Sequence, residues 1–284
     1  MGRYVLRRTL GLLPTLLVIV VVSFFVIRLA PGSPFASERG VPAEVLADLK
    51  AKYGFDRPIA EQLGRYLFGL AHGDLGLSTK YPQRSVSEII ADGFPATLLL
   101  GFVALLWALL LGIGAGIVGA MRQNSAWDYG LMTIAMLGIS VPTFVLGPVL
   151  VLIFALTIYA LPPGGWGEFR HVVLPALTLG AYYAAFIARL TRAGMLEVVH
   201  ADFVRTARAK GLPTFLIVRR HMLRGGLLPV VTFLGPAIAN LLVGSVIVEK
   251  IFAIPGIGPY FVDAAFNRDY FLVMGIVVLY SAFL

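Results

Sequence analysis

Apolar positions in this chain come in long unbroken blocks separated by short polar stretches, with little of the one-sided striping of a soluble helix. A helix rises about 1.5 Å per residue, so crossing a hydrocarbon layer about 30 Å thick takes about 20 apolar residues. Five blocks are long enough, near 9–29, 94–120, 129–159, 172–190 and 227–248. A sixth opens near Phe271 and runs to Leu284; its length corresponds to only about 21 Å of helix, so the natural chain is expected to continue. The third block is too long for one straight span and holds Pro142 and Pro148, which predicts a tilted or kinked helix. The pattern as a whole predicts an all-α membrane protein of six spans, the last cut short.

Between the first two spans, residues 30–93 are more polar, and two amphipathic helices are legible. In "VPAEVLADLKAKYG", Pro42 can open a helix and Gly54 can close it, with Glu44 and Asp48 ahead of Lys50 and Lys52. In "RPIAEQLGRYLFGL", Pro58 opens, and Ile59, Leu63, Tyr66, Leu67 and Leu70 form one apolar stripe. The stripes are expected to rest on the membrane surface or on the ends of the spans. The segment is either a structural cap or a platform for an external partner.

Composition supports the membrane reading. Hydrophobic residues make up 58% of the 284, charged residues only 13%, and the mean hydropathy is +0.87, far from the balance of soluble domains. The first block could be mistaken for a secretory signal, but it is longer than a typical signal core, and "RLAPGSP" offers no small-residue cleavage site. It is read as a retained span. With the N-terminus in the cytoplasm, the internal segments hold Arg3, Arg7, Arg8, Arg122, Arg189, Arg192 and six further basic residues up to Arg224, against only Asp128, Glu197 and Asp202. The external segments are nearly balanced. The net charge of +8 is thus accounted for by the positive-inside rule and needs no nucleic acid.

Much chemistry is missing. There are no cysteines, and no Walker A sequence, nucleophile elbow, HExxH or kinase motif. His72, His171, His200 and His221 stand singly, which gives a metal site little support. The formal GxGxxG at Gly114, Gly116 and Gly119 lies inside an apolar block with no preceding strand, so the dinucleotide reading fails on context. Gly112 with Gly116, and Ala115 with Gly119, instead have the spacing that lets membrane helices approach closely. No charged residue falls near the middle of a complete span, which disfavours a self-contained ion-coupled transporter.

One large internal segment remains, from Ala188 to Gly226. In "DFVRTARAKGLP", Asp202 is placed to cap a helix start, Lys210 lies in its last turn, Gly211 is suited to the left-handed position that follows, and Pro213 blocks continuation. Such a helix has about eight residues, and isolated helices below about 12–15 are marginal in water, so something must hold it. Ala207, Ala209 and Gly211 offer little bulk, with Arg205, Arg208 and Lys210 around them. The stretch is either a small-residue knob for a cleft in a partner protein or a basic juxtamembrane loop that sets topology and binds anionic membrane lipid. A second helix is predicted from Thr214, and the Gly225-Gly226 pair is expected to break the chain before a span opened by Pro229.

"DFVRTARAKGLP" followed by "RRHMLRGGLLPVVT" resembles the cytoplasmic coupling loop of the permease subunits of binding-protein-dependent ABC importers, in their dipeptide/oligopeptide/nickel branch. Ala207 and Gly211 fill the second Ala and the Gly of the family's EAA-x3-G pattern, while Arg205 and Thr206 stand where it has Glu and Ala, as in the altered form of this branch. "RLAPGSPF" at 28–35, "LAHGDLG" at 70–76, "QNSAWDY" at 123–129, "LPPGGW" at 161–166, "IARLTRAGMLEV" at 187–198 and "VEKIFAIPGIGPYFVDAAFNRDY" at 248–270 are similar to the same branch. The resemblance implies a six-span importer permease without catalytic residues or cofactor of its own, forming half of a path for oligopeptides, with dipeptides, glutathione or nickel chelates as the neighbouring substrates. It implies a homologous C-type second permease, two cytoplasmic subunits carrying ATP and magnesium, and an extracytoplasmic peptide-binding protein. Residues 1–29, 30–93 and 94–284 would be the first span with its cytoplasmic start, the external helical segment and the permease core, with the coupling loop at 191–226. Asp202, Arg205, Thr206, Ala207, Arg208, Lys210 and Gly211 would meet an ATPase subunit. Glu249, Pro255, Gly256 and Gly258 would lie by the external mouth, or would simply form the turn before the sixth span.

Overall fold

The computed structural model describes residues 2–29, 34–35 and 43–283, and among these the regular structure is helical, with one isolated antiparallel bridge between Leu77 and Ser85. The chain divides into two compact units, 1–96 with 256–284, and 97–255. The last apolar stretch thus folds with the N-terminal third, an association that the sequence order does not suggest.

The first unit holds α1 (Gly2–Leu29), α2 (Ala43–Lys52), α3 (Ile59–Ala71) and the start of α4 (Val86–Met121). Further along the sequence it takes in α13 (Ile257–Asn267) and α14 (Tyr270–Phe283). Pro42 lies outside the described residues. Gly54 closes α2 as expected, at φ +69°, with Gly54 N–H donating to Ala51 O and Phe55 N–H to Lys50 O at 3.1 and 2.8 Å. The stripe of α3 rests on the spans: Tyr66, Leu63, Leu67 and Leu70 pack with Val20 and Phe24 of α1 and Met274 of α14. A second cluster joins Val86 and Ile89 of α4 to Ile257, Ala264, Leu272 and Ile276. Buried Asp269 caps α14, accepting from Leu272 N–H at 3.2 Å and from the Ser78 hydroxyl.

The second unit holds the rest of α4 with α5 (Ala126–Ser140), α6 (Thr143–Val151) and a π-helical turn, Leu152–Thr157. It continues through α7 (Phe169–Val199), α8 (Asp202–Ala209), α9 (Thr214–Ile217), a second π-helical turn at Val218–Met222 and α10 (Leu223–Gly226). It ends with α11 (Leu228–Val243) and α12 (Val246–Ile251). α7 is its axis, packing against α5, α6, α10, α11 and α12. Four stretches, Gly11–Leu29, Val86–Met121, Phe169–Val199 and Leu228–Ile251, are each long and apolar enough to cross a membrane. α14 is shorter, at 14 residues.

The third apolar block departs from expectation. Instead of one kinked helix, α5 and α6 meet at a bend of 114°. Val141 precedes proline, which disfavours the helical region, and it sits at φ −90°, ψ 118°. Pro142 takes the cap position of α6, where a missing N–H is harmless. Pro148 lies inside α6, just ahead of the π-helical turn. The break expected at Gly225-Gly226 falls directly after the pair: α10 ends on Gly226, Leu227 interrupts the helix, and α11 starts at Leu228 with Pro229 in its first turn.

The small residues of α4 do what their spacing predicts. A Cβ on Gly112 would stand 2.7 Å from Ala184 O, and one on Gly116 would stand 2.4 Å from Thr191 Cβ, so α4 and α7 touch backbone to backbone. Gly116→Leu would overpack this contact and is expected to cost about 1–3 kcal/mol. Thermal unfolding of the detergent-purified chain measures it, and an unchanged midpoint would show that the two helices separate freely.

Candidate coupling site

The eight residues of α8 are held from two sides. Val204 and Ala207, one turn apart, are buried against Ala120 at the end of α4, Met195 of α7, and Ile217 and Met222 beyond the loop. The C-terminal end is closed by a Schellman motif. Gly211 stands at φ +74°, its N–H donates to Arg208 O at 2.9 Å, and Leu212 N–H reaches Ala207 O at 3.3 Å. These contacts supply the support that so short a helix lacks on its own.

The N-terminal end corrects one expectation. Asp202 is the first helical residue, not the cap; Ala201 occupies the cap position and offers no side-chain bond. The Asp202 carboxylate is exposed and lies 3.6 Å from the Arg205 guanidinium, while its backbone carbonyl accepts from the Thr206 hydroxyl at 3.0 Å. A carboxylate in the first turn still favours the helix through its dipole.

The burial pattern also redraws the expected contact face. Ala207 is 4% exposed and points into the chain's own core, so it supports α8 from behind. Thr206, Arg208, Ala209, Lys210 and Gly211 remain exposed. Two aromatics that the residue-by-residue reading passed over join them: Phe203 at 49% exposure and Phe215, in the first turn of α9, at 73%. The signal was available, because an aromatic in a water-facing loop carries a large apolar area with no place in the local core. A Cβ on Gly211 would meet nothing within 4 Å, so its requirement is conformational alone. Gly211→Val is expected to cost about 1–2 kcal/mol through the left-handed backbone, with Gly211→Asn much milder. Limited proteolysis of the 201–215 loop reads the difference.

Close to this seat, Asp128 of α5 and Arg192 of α7 form a two-pronged ion pair. Arg192 Nε and Nη2 donate to Asp128 Oδ1 and Oδ2, each at 2.6 Å, and Asn124 N–H donates to Oδ2 at 3.0 Å. The Asp128 side chain is 2% exposed. The four residues of the second expected site are placed differently. Glu249, Gly256 and Gly258 are buried, and Pro255 is exposed. Thr97 donates to Glu249 Oε1 at 3.0 Å, which ties α12 to α4. Gly256 occupies the cap position of α13. Among the described residues, no group of three or more His, Asp or Glu side chains is arranged to hold a metal.

This architecture, several helices long and apolar enough to cross a membrane with one supported basic loop, is that of a multi-pass membrane protein. Two family models match nearly all of the chain: the N-terminal part of binding-protein-dependent transport system membrane components over residues 1–101, and the binding-protein-dependent transport system inner membrane component over residues 108–284. The chain belongs to this family of inner-membrane transport components. It is 47% identical to the oligopeptide transport system permease protein OppB of Escherichia coli K12, over 99% of this chain and 93% of that protein. Identity to the dipeptide transport system permease protein DppB of Bacillus subtilis is 42%, over 100% and 92%. Identity to the glutathione transport system permease protein GsiC of E. coli is 40%, over 99% and 92%. An inward-facing structure of the MetNI methionine ABC transporter shares the fold, with a TM-score of 0.55 and 19% identity over 69% of this chain and 92% of that one.

Proposed function

We propose that this chain forms half of the translocation path of an ATP-driven oligopeptide importer, beside a homologous second permease. Two cytoplasmic ATP-binding subunits would supply the energy, and an extracytoplasmic binding protein would deliver the peptide. The observation that carries the coupling part is α8, a short helix with its inner face locked to the ends of α4 and α7 and an outer face that presents Phe203 and a set of cations, followed by the exposed Phe215 of α9. The substrate class rests on the relatives, whose oligopeptide members stand at 47–48% identity against 42% and 40% for the dipeptide and glutathione members.

In this reading the N-terminus and residues 191–226 are cytoplasmic, residues 30–93 are extracytoplasmic, and residues 94–284 form the permease core. Phe203, Arg205, Thr206, Arg208, Lys210, Gly211 and Phe215 meet an ATP-binding subunit, and Asp202 and Ala207 shape the helix. ATP and magnesium belong to those partner subunits. The connection from Glu249 to Gly258 lies near the external mouth, with the Glu249–Thr97 bond fixing its first part.

Purification of the complex from its native membrane tests the assembly. Two proteins with Walker A sequences and a second permease should leave the membrane with this chain, and the reconstituted complex should import labelled oligopeptide only with ATP and binding protein. Import by the chain alone in liposomes would overturn the reading.

A further inference from the structure

Within the first unit, a cavity of about 190 Å³ opens between α1, α2, α3 and α14. Arg28, Gln62, Tyr66 and Phe271 contribute to its lining, together with the exposed Lys52 and Arg65. Three cations meet here around one acid, Asp74, whose carboxylate accepts from Gly76 N–H at 2.8 Å. Arg28 has no carboxylate partner among the described residues. Its guanidinium stands over the rings of Phe55, Phe24 and Tyr270 at 4.5, 5.0 and 5.0 Å, and it donates to the Gln62 side-chain oxygen. Lys52 lies 5.8 Å from the Tyr53 ring, likewise with no acid in reach among the described residues. Arg65 has only the exposed Glu61, at 3.3 Å.

A second observation points to a ligand. Tyr66 is 7% exposed, and its hydroxyl has no hydrogen-bond partner among the described residues, a costly state for a buried donor. Burial also pushes its phenol well above the ordinary range, so the group stays a protonated donor. The level of the cavity selects the ligand. Arg28 is the penultimate residue of the Gly11–Leu29 span, at the height where lipid phosphates lie. Below it Phe24 and Met274, in contact with Tyr66, provide an apolar wall.

We propose that this cavity binds a phosphate ester, the headgroup phosphodiester of an anionic phospholipid, with Arg28, Lys52 and Arg65 supplying charge and Tyr66 a hydrogen bond. The site is separate from the coupling surface and does not depend on the transport reading.

Native mass spectrometry of the delipidated full complex tests it, with phosphatidylglycerol, phosphatidylcholine or sn-glycerol phosphate added back. The wild type should retain phosphatidylglycerol about thirtyfold better than phosphatidylcholine, the size of effect that two cations give at a membrane surface. Lys52→Gln with Arg65→Gln, both at exposed positions outside the buried clusters, should erase that preference, and Tyr66→Phe should weaken retention severalfold. Retention of glycerol phosphate, without a preference among the lipids and sensitive to the same substitutions, would keep the phosphate chemistry and assign it to a soluble ester. Equal retention by wild type and variants, or none by either, would overturn the site.

Discussion

Replacing Phe203 and Phe215 together by Asp should abolish peptide uptake while leaving the amount of chain in the membrane unchanged. Neither side chain contributes to a buried cluster, and both expose much of their area, so membrane insertion and internal packing have little to lose. At an interface the balance reverses. Aromatic anchors commonly cost about 2 kcal/mol or more each when truncated, and two such losses amount to roughly a thousandfold in affinity. Co-purification of the ATP-binding subunits reads the effect directly, with Phe→Leu at each position as the mild control. Full co-purification of the double variant would remove these residues from the contact. Ala207→Glu is the informative contrast. It forces a charge into the cluster of Ala120, Met195, Val204, Ile217 and Met222, so it should lower the thermal stability of the chain as well as uptake.

What could be read without coordinates divides by the range of the interaction. The C-terminal limit of α8 was legible because it is local: Gly211, Leu212 and Pro213 specify a helix stop within a few residues. The close approach of α4 through Gly112 and Gly116 was legible from spacing, though its partner, α7, was not. The 114° bend at Val141 and Pro142 was missed because an apolar count records length and is blind to direction. Ala207 was given to the outer face because a small residue suits a core contact and an external contact equally well. Its pairing with Val204 at i, i+3 was the clue to the inner one.

The longest-range contacts were the least visible. Asp128 and Arg192 were both counted among the internal charges that set topology, yet they lie 64 residues apart in sequence and meet with the Asp128 carboxylate almost out of contact with solvent. Ser78 and Asp269, separated by 191 positions, similarly join the segment ahead of α4 to the start of α14. Nothing in either residue's neighbourhood announces such a partner. These pairs matter for how α8 would act. Its seat is made by the ends of α4 and α7, and α5 is fastened to α7 close by, so a push on α8 would reach three helices through contacts already closed.

That fastening predicts the second large effect. Asp128→Ala should lower the stability of the detergent-purified chain by about 2–3 kcal/mol, because it leaves the Arg192 guanidinium without both of its bonds. The Arg192 side chain is 27% exposed, so water can solvate part of the orphaned charge, and the loss should stay below that of a fully buried pair. Asp128→Asn keeps one acceptor for Arg192 and should cost less. The double variant Asp128→Ala with Arg192→Met removes the orphan, and it should recover part of the loss instead of adding to it. Thermal unfolding of the wild type, Asp128→Ala, Arg192→Met and the double variant closes the cycle and gives the coupling. Additive losses would mean that the two side chains do not act as a pair. Recovery of stability without recovery of uptake would assign the pair a further part in transmitting motion from α8 to α5.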